Sequence, residues 1–343
     1  MRHSSGLLVV LPIVLASCSA PMNGEANPVG SERARHVSPA LRLSDAQRKV
    51  FEENLAVARA AYDADPTNED AIIWLGRRLA YLGRYDEAID IYSRGRKTHP
   101  QSVKILRHRG HRYLTTRRFD LASKDLQRAA DLIRENHVPD EIEPDGLPNA
   151  RNIPLTTLHD NVYYHLALTR YLRGQFEKAA EAWRGGLERV KPNDDMLVAY
   201  TFWLYLAESR SGRPERAAAL LAPITPNLDI IENGAYLRVL RVAKGELTEA
   251  EALGAGAEGV EGAASDRATL LHGLGALALI RGDLPSARSR FEECLRLGQW
   301  PAFGCIAAET ELARMDRSRG APAEPRTGNE ILRELQQERQ QHR

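Results

Sequence analysis

Few stretches of this chain bring reactive side chains together. His159, Asp160 and His165 crowd the start of one helical stretch, but a metal site needs three or more converging ligands, and one His–Asp pair with a more distant His is a weak match. The acidic run Asp140-Glu141-Ile142-Glu143-Pro144-Asp145 offers oxygens without the spacing of a calcium loop. There is no phosphate-binding glycine loop, no nucleophile elbow and no His-Glu-x-x-His stretch. Of three cysteines, Cys18 lies near the N-terminus, while Cys294 and Cys305 flank Gln299 almost symmetrically, where a helical hairpin should turn. That pair has two readings: a disulfide, if the compartment is oxidising, or two small core residues in adjacent helices. The inventory points to binding and not to catalysis, with no cofactor and no metal expected.

The elements that carry these residues read as helices. Ala, Leu, Arg and Glu dominate, and aromatics make up 6% of the 343 residues. A hydrophobic content of 43% is enough for a sizeable core. With 47 basic against 46 acidic residues the formal charge is +1, which argues against a polyanion binder, so no nucleic acid is expected.

One local pattern recurs: a glycine, then an alanine five residues later, between two helical stretches. It occurs at Gly83/Ala88, Gly174/Ala179, Gly212/Ala217, Gly245/Ala250 and Gly282/Ala287, and Ala122 continues it with Arg117 in the glycine's place. The step from Ala88 to Ala122 is 34 residues, and later steps are 57, 38, 33 and 37. Periods of this size mean stacked helical hairpins, each unable to bury its apolar face alone. The small residues at Gly76, Gly110, Ala167 and Gly275 let the two helices of a hairpin approach, and Tyr92, Trp183 and Phe291 fill the space between hairpins. Ser44 and Gln47 form a capping box for a helix running to about Ala64, a lid on the first hairpin.

The unit Glu69–Ser102, with Leu75-Gly76, Gly83, Tyr85, Ala88, Tyr92 and Pro100, resembles the tetratricopeptide repeat, and the resemblance extends over roughly two-thirds of the chain. It implies an all-α, right-handed superhelical solenoid of antiparallel hairpins over 44–318, about six repeats, interrupted by an insertion at 137–159. By the same resemblance the first helix of each repeat lines a concave groove. That groove would present Trp74, Arg77 and Tyr81, then Lys104, Arg107, His108 and His111, then Tyr164, His165 and Tyr171. Arginine, histidine and aromatic edges suit an extended peptide bearing a carboxylate. The family's paired Lys/Asn carboxylate clamp is not reproduced. The insertion, with four prolines around its acidic run, is either a lid over the groove or a solvated loop.

The N-terminus resembles a bacterial lipoprotein signal peptide. Arg2 and His3 precede an apolar run to Ala16, and Leu15-Ala16-Ser17-Cys18 matches a lipobox. The resemblance implies removal of residues 1–17 and lipidation of Cys18, with 18–43 as a flexible tether of roughly 25–30 Å reach. Residues 319–343 read as a polar tail. The expected place is the bacterial cell envelope, facing periplasm or exterior, at the outer membrane if the source has one. The expected function is a membrane-anchored scaffold for a protein or extended peptide. The alternatives are a surface lipoprotein capturing glycan or nutrient, and an accessory subunit of an envelope enzyme or secretion complex. Aromatic residues converging on the insertion would favour glycan, and a basic, polar, continuous groove would favour peptide.

Overall fold

The computed structural model describes residues 41, 43–144, 146–190, 193–254 and 263–318. The signal peptide, Cys18, most of the tether and the 319–343 tail lie outside the described residues. Among the described residues there are fourteen helices and no strand, only one isolated antiparallel bridge between Ile142 and Thr157.

α1 (Asp45–Ala64) opens with the Ser44/Gln47 capping box and packs on α2 (Glu69–Tyr81). Hairpins follow as α2 with α3 (Tyr85–Thr98), α4 (Val103–Thr115) with α5 (Phe119–Glu135), and α6 (Leu158–Leu172) with α7 (Phe176–Val190). Then come α8 (Asp194–Arg210) with α9 (Pro214–Ala219), α10 (Gly234–Lys244) with α11 (Glu249–Gly254), α12 (Ala263–Ile280) with α13 (Leu284–Arg296), and the closing α14 (Phe303–Ser318).

Two kinds of turn alternate, each with its own chemistry. At three of the turns between hairpins a side chain caps the next helix: Asn68 accepts from Ala71 N at 2.9 Å, Ser102 from Ile105 N at 2.9 Å and Asn193 from Met196 N at 3.1 Å, whereas Asn233 before α10 makes no such bond. Within hairpins the turn residue goes left-handed. Gly83, Gly174, Gly212, Gly245 and Gly282 have φ between 71° and 81°, and Arg117, in the glycine's place, adopts φ 60° against its preference. Ala88, Ala122, Ala179 and Ala287 are fully buried and Ala217 nearly so. In the fifth hairpin the register slips. α11 begins four residues after Gly245 instead of two, so Ala250 is exposed and Ala252 is buried in its stead.

Close approach explains the small residues. A Cβ on Gly110 would stand 2.7 Å from Leu126 Cγ, and one on Gly275 2.7 Å from Phe291, while at Gly76 it would run into the Tyr92 ring. Cys294 and Cys305 face each other across α13 and α14, their sulfurs 3.5 Å apart and unbonded. Each thiol instead points to a backbone carbonyl, Cys294 to Ala268 O at 3.3 Å and Cys305 to Cys294 O at 3.5 Å. Both cysteines are buried core residues of adjacent helices.

The array also closes on itself. α8 reaches α12 directly past the intervening hairpin, and α14 returns to touch α6. α8 is apolar on every side, with Tyr200, Phe202 and Trp203 at most 1% exposed, as a helix must be when neighbours surround it. Arg117 at the α4–α5 turn pairs with Glu309 of α14 at 2.8 Å and lies over the Trp300 ring, 3.9 Å from its centroid. Arg314 donates to Tyr171 O at 3.1 Å, and Arg210 pairs with the fully buried Glu311 at 2.8 Å.

Candidate binding surface on the inner face

The residues expected to line an open groove are divided by this closure. Trp74, Arg77 and Tyr81 on α2 stay half-exposed, as does Lys104 on α4. The Arg77 guanidinium lies 4.5 Å from the Trp74 ring centroid, that of Arg78 4.9 Å, and Arg77 Nε donates to Tyr81 Oη at 3.3 Å. Beside them α1 and α2 enclose an open cleft of about 420 Å³ lined by Asn54, Val57, Ala58, Asp70, Trp74 and Arg78 among others.

The other expected groove residues are covered. Tyr171 is fully buried against Phe176, Trp183 and Trp203, so it belongs to the core. Tyr164, His165 and His111 lie under Phe303 of α14, with centroid distances of 6.3, 5.5 and 5.5 Å, and the two imidazoles stand 4.3 Å apart. The reading of an open, solvent-filled groove is therefore corrected over α4 and α6. Apolar and aromatic side chains on that face are hidden by bringing α14 across it, because bare hairpins would leave them in water.

Arg107 and His108 are covered by the insertion. After α5 the chain turns back and runs extended past α4. Glu141 pairs with Lys104 at 2.7 Å, and Glu143 with Arg107 at 2.9 Å and His108 at 3.3 Å. Asn161 of α6 donates to Glu143 as well, and to Thr156 Oγ1 at 2.8 Å. Glu143 N donates to Thr156 O at 3.0 Å, Leu158 N to Glu141 O at 2.8 Å, and Arg78 to Gly146 O at 3.0 Å. Of the two readings of the insertion, a lid over this part of the inner face is the one the structure has.

The electrostatics of this seat follow from burial and pairing. Burial pushes the Glu143 carboxyl up, but the Arg107 charge and the His108 hydrogen bond outweigh it and hold its pKa down to about 2. Burial and then the Arg107 charge push His108 down to about 3, so its imidazole is neutral. A proton on Nε2 then serves Glu143, while Nδ1 accepts from Arg107 Nη1 at 2.9 Å. His165 is pushed down to about 3 by burial and by Arg107, and His111 well below its ordinary value by burial and by Arg112.

His159, Asp160 and His165 do not converge. His159 Nε2 bonds Val138 O at 3.0 Å, and His165 Nδ1 bonds Asn161 O one turn back. Among the described residues no group of three or more His, Cys, Asp or Glu could hold a metal ion. Glu143, Phe303 and Glu309, which complete the inner face, gave no signal as neighbours of these helices in the sequence: His108, His165 and Arg117, which they meet, lie 35, 138 and 192 residues away.

Residues 69–111 match the tetratricopeptide repeat family model. Similar solved structures include a tetratricopeptide repeat protein from Parabacteroides merdae, 15% identical, with 76% of this chain and 94% of that chain covered and a TM-score of 0.44. BtubC from P. vanneervenii is 15% identical, with 74% and 90% covered and a TM-score of 0.41. MamA is 17% identical, with 60% and 100% covered and a TM-score of 0.39. No curated protein sequence matches.

Proposed function

We propose that this tetratricopeptide-repeat chain is a lipid-anchored scaffold that holds an extended segment of a protein partner in the bacterial cell envelope. One observation carries the reading: the inner face of the second and third hairpins already grips an acidic segment, the chain's own residues 140–144, through Lys104, Arg107, His108 and Asn161. Basic and polar groups meet this segment, and such groups suit a peptide that bears carboxylates. The open Trp74–Arg77–Tyr81 surface and the α1–α2 cleft adjoin the same seat through Arg78 and offer a partner further contact. Equilibrium binding is the whole mechanism, and no catalytic residue is assigned.

The anchor rests on the lipobox. Several acyl chains on Cys18 would hold the chain at a membrane where one would not, and the tether would raise its local concentration there. Among the described residues no helix is long and apolar enough to cross a membrane. Replacement of Cys18 by alanine is expected to move the protein from the membrane fraction to the soluble fraction or leave it unprocessed. Unchanged fractionation would remove the anchor. A photo-crosslinking residue at Trp74 in intact cells is expected to trap one protein reproducibly, and its absence with normal expression would remove the scaffold.

A further inference from the structure

The insertion is held in an unusual way. Of the described residues from 140 to 148, Glu143 and Gly146 are buried and the rest are exposed. Its large apolar side chains face water: Ile142 is 66% exposed and Leu147 54%. Ordinary packing would do the reverse, hiding Ile142 and leaving a glutamate in solvent. What fastens this segment to α4 is therefore charge and backbone geometry, with little apolar burial behind it. A contact of that kind can be exchanged for another bearing the same charges.

Spacing defines which charges those are. In an extended chain, residues i and i+2 point to the same side and lie about 6–7 Å apart. Lys104 and the Arg107–His108 pair stand three to four residues apart on α4, about 4.5–6 Å along its axis. The two repeats agree, so Glu141 meets Lys104 while Glu143 meets Arg107 and His108, and Ile142 between them turns outward. The outer edge of the segment makes one bridge, Ile142 to Thr157, and Arg78 grips its far end by a main-chain carbonyl, Gly146 O. The bridge asks nothing of the side chains, whereas at the far end a Cβ on Gly146 would run into Tyr81 Oη, so that position takes only glycine. Selection by charge lies in the two glutamates.

We propose that this seat is a binding site for an extended protein segment of the form Glu-x-Glu, and that residues 140–144 are its intramolecular occupant, displaced when the partner's segment enters. The inference rests on the scaffold reading and names the chemical class of its partner. The pair of carboxylates supplies the recognition: one ends on the half-exposed Lys104, the other on a buried Arg107–His108 base whose charge no neutral residue would balance. The tethered segment competes at an effective concentration on the order of millimolar, so wild-type protein reports a partner segment only weakly until the occupant is loosened.

The test uses a synthetic peptide with the sequence of residues 138–147, titrated calorimetrically into the full chain and into the variant E141Q/E143Q. The variant is expected to bind it at least ten-fold more tightly than wild type, and a peptide with both glutamates replaced by glutamine is expected to bind neither. Equal affinity for the two chains, or equal affinity for the two peptides, overturns the proposal. Should the variant lose its helical circular dichroism, hydrogen exchange on wild type decides. At millimolar peptide the amides of Glu143 and Leu158, which bond Thr156 O and Glu141 O, are expected to exchange several-fold faster, and unchanged protection overturns the proposal. A missing cellular crosslink at Trp74 would sink the scaffold reading and leave these titrations unaffected.

Discussion

Arg117 is a residue at which two forces oppose each other, and the variant Arg117→Gly separates them. Its φ of 60° sits where an L-residue pays a penalty, so a glycine there relieves about 1–2 kcal/mol of backbone strain. The side chain works the other way. Its guanidinium bonds Glu309 at 2.8 Å, Trp300 O at 3.0 Å and Thr115 O at 2.6 Å, and lies 3.9 Å from the Trp300 centroid. Both partners of the ion pair are about nine-tenths buried, with side-chain exposures of 8% and 10%. Withdrawing the cation from a buried carboxylate costs about 3–5 kcal/mol, and the lost cation–π contact about another 1–2. The interaction wins, and Arg117→Gly is expected to lose about 2–6 kcal/mol in urea unfolding followed by circular dichroism. Adding Glu309→Gln should restore part of that loss, since the charge is then gone from both sides. A variant as stable as wild type, or more stable by about the strain alone, would refute the reasoning and leave Arg117 a mere turn residue.

Other expectations follow from the same packing. Gly110→Ala forces a methyl to within 2.7 Å of Leu126 and is expected to cost about 1–3 kcal/mol by overpacking; Gly282→Ala meets open space, so thermal melts should show only the cost of its left-handed φ of 81°, about 1–2 kcal/mol. Burial holds His108, His165 and His272 neutral, each pushed down to about 3. The unfolded chain binds protons on these residues from about pH 6.5 downward and the folded chain does not, so their contribution to stability is complete above pH 6.5 and lost as pH falls toward 3. Each costs about 1.4 kcal/mol per pH unit in that window, and urea midpoints at pH 7 and pH 5 should differ accordingly; equal midpoints would mean the rings are accessible.

Much of this fold was legible because its signals are local. A left-handed turn wants glycine, and the alanine five residues on enters the next helix where a neighbour is close, so Gly83/Ala88 and Gly282/Ala287 announce hairpins without tertiary knowledge. The fifth hairpin escaped because two extra turn residues after Gly245 moved the buried position to Ala252. The open groove was the larger misreading. His111, Tyr164 and His165 have the spacing of a lining face, and what covers them, Phe303, comes from the far end of the array. A signal existed nonetheless. Met196 to Leu204 are buried at every position, as are Gly304 to Glu309, and helices apolar on all sides cannot border a water-filled channel. Glu143 was visible as part of an acidic run, but no periodicity tells which basic helix an irregular segment will reach.

Amide hydrogen exchange across α14 bears most directly on whether the array closes. An end helix of an open solenoid has one neighbour and frays, exchanging faster than the hairpins before it. With Glu309 and Arg314 fastened to the second and third hairpins, residues 305–315 should be protected to the same degree as α4 and α6. Exchange of α14 at the rate of an unattached terminal helix, while α4 and α6 remain protected, would contradict the closure and reopen the inner face.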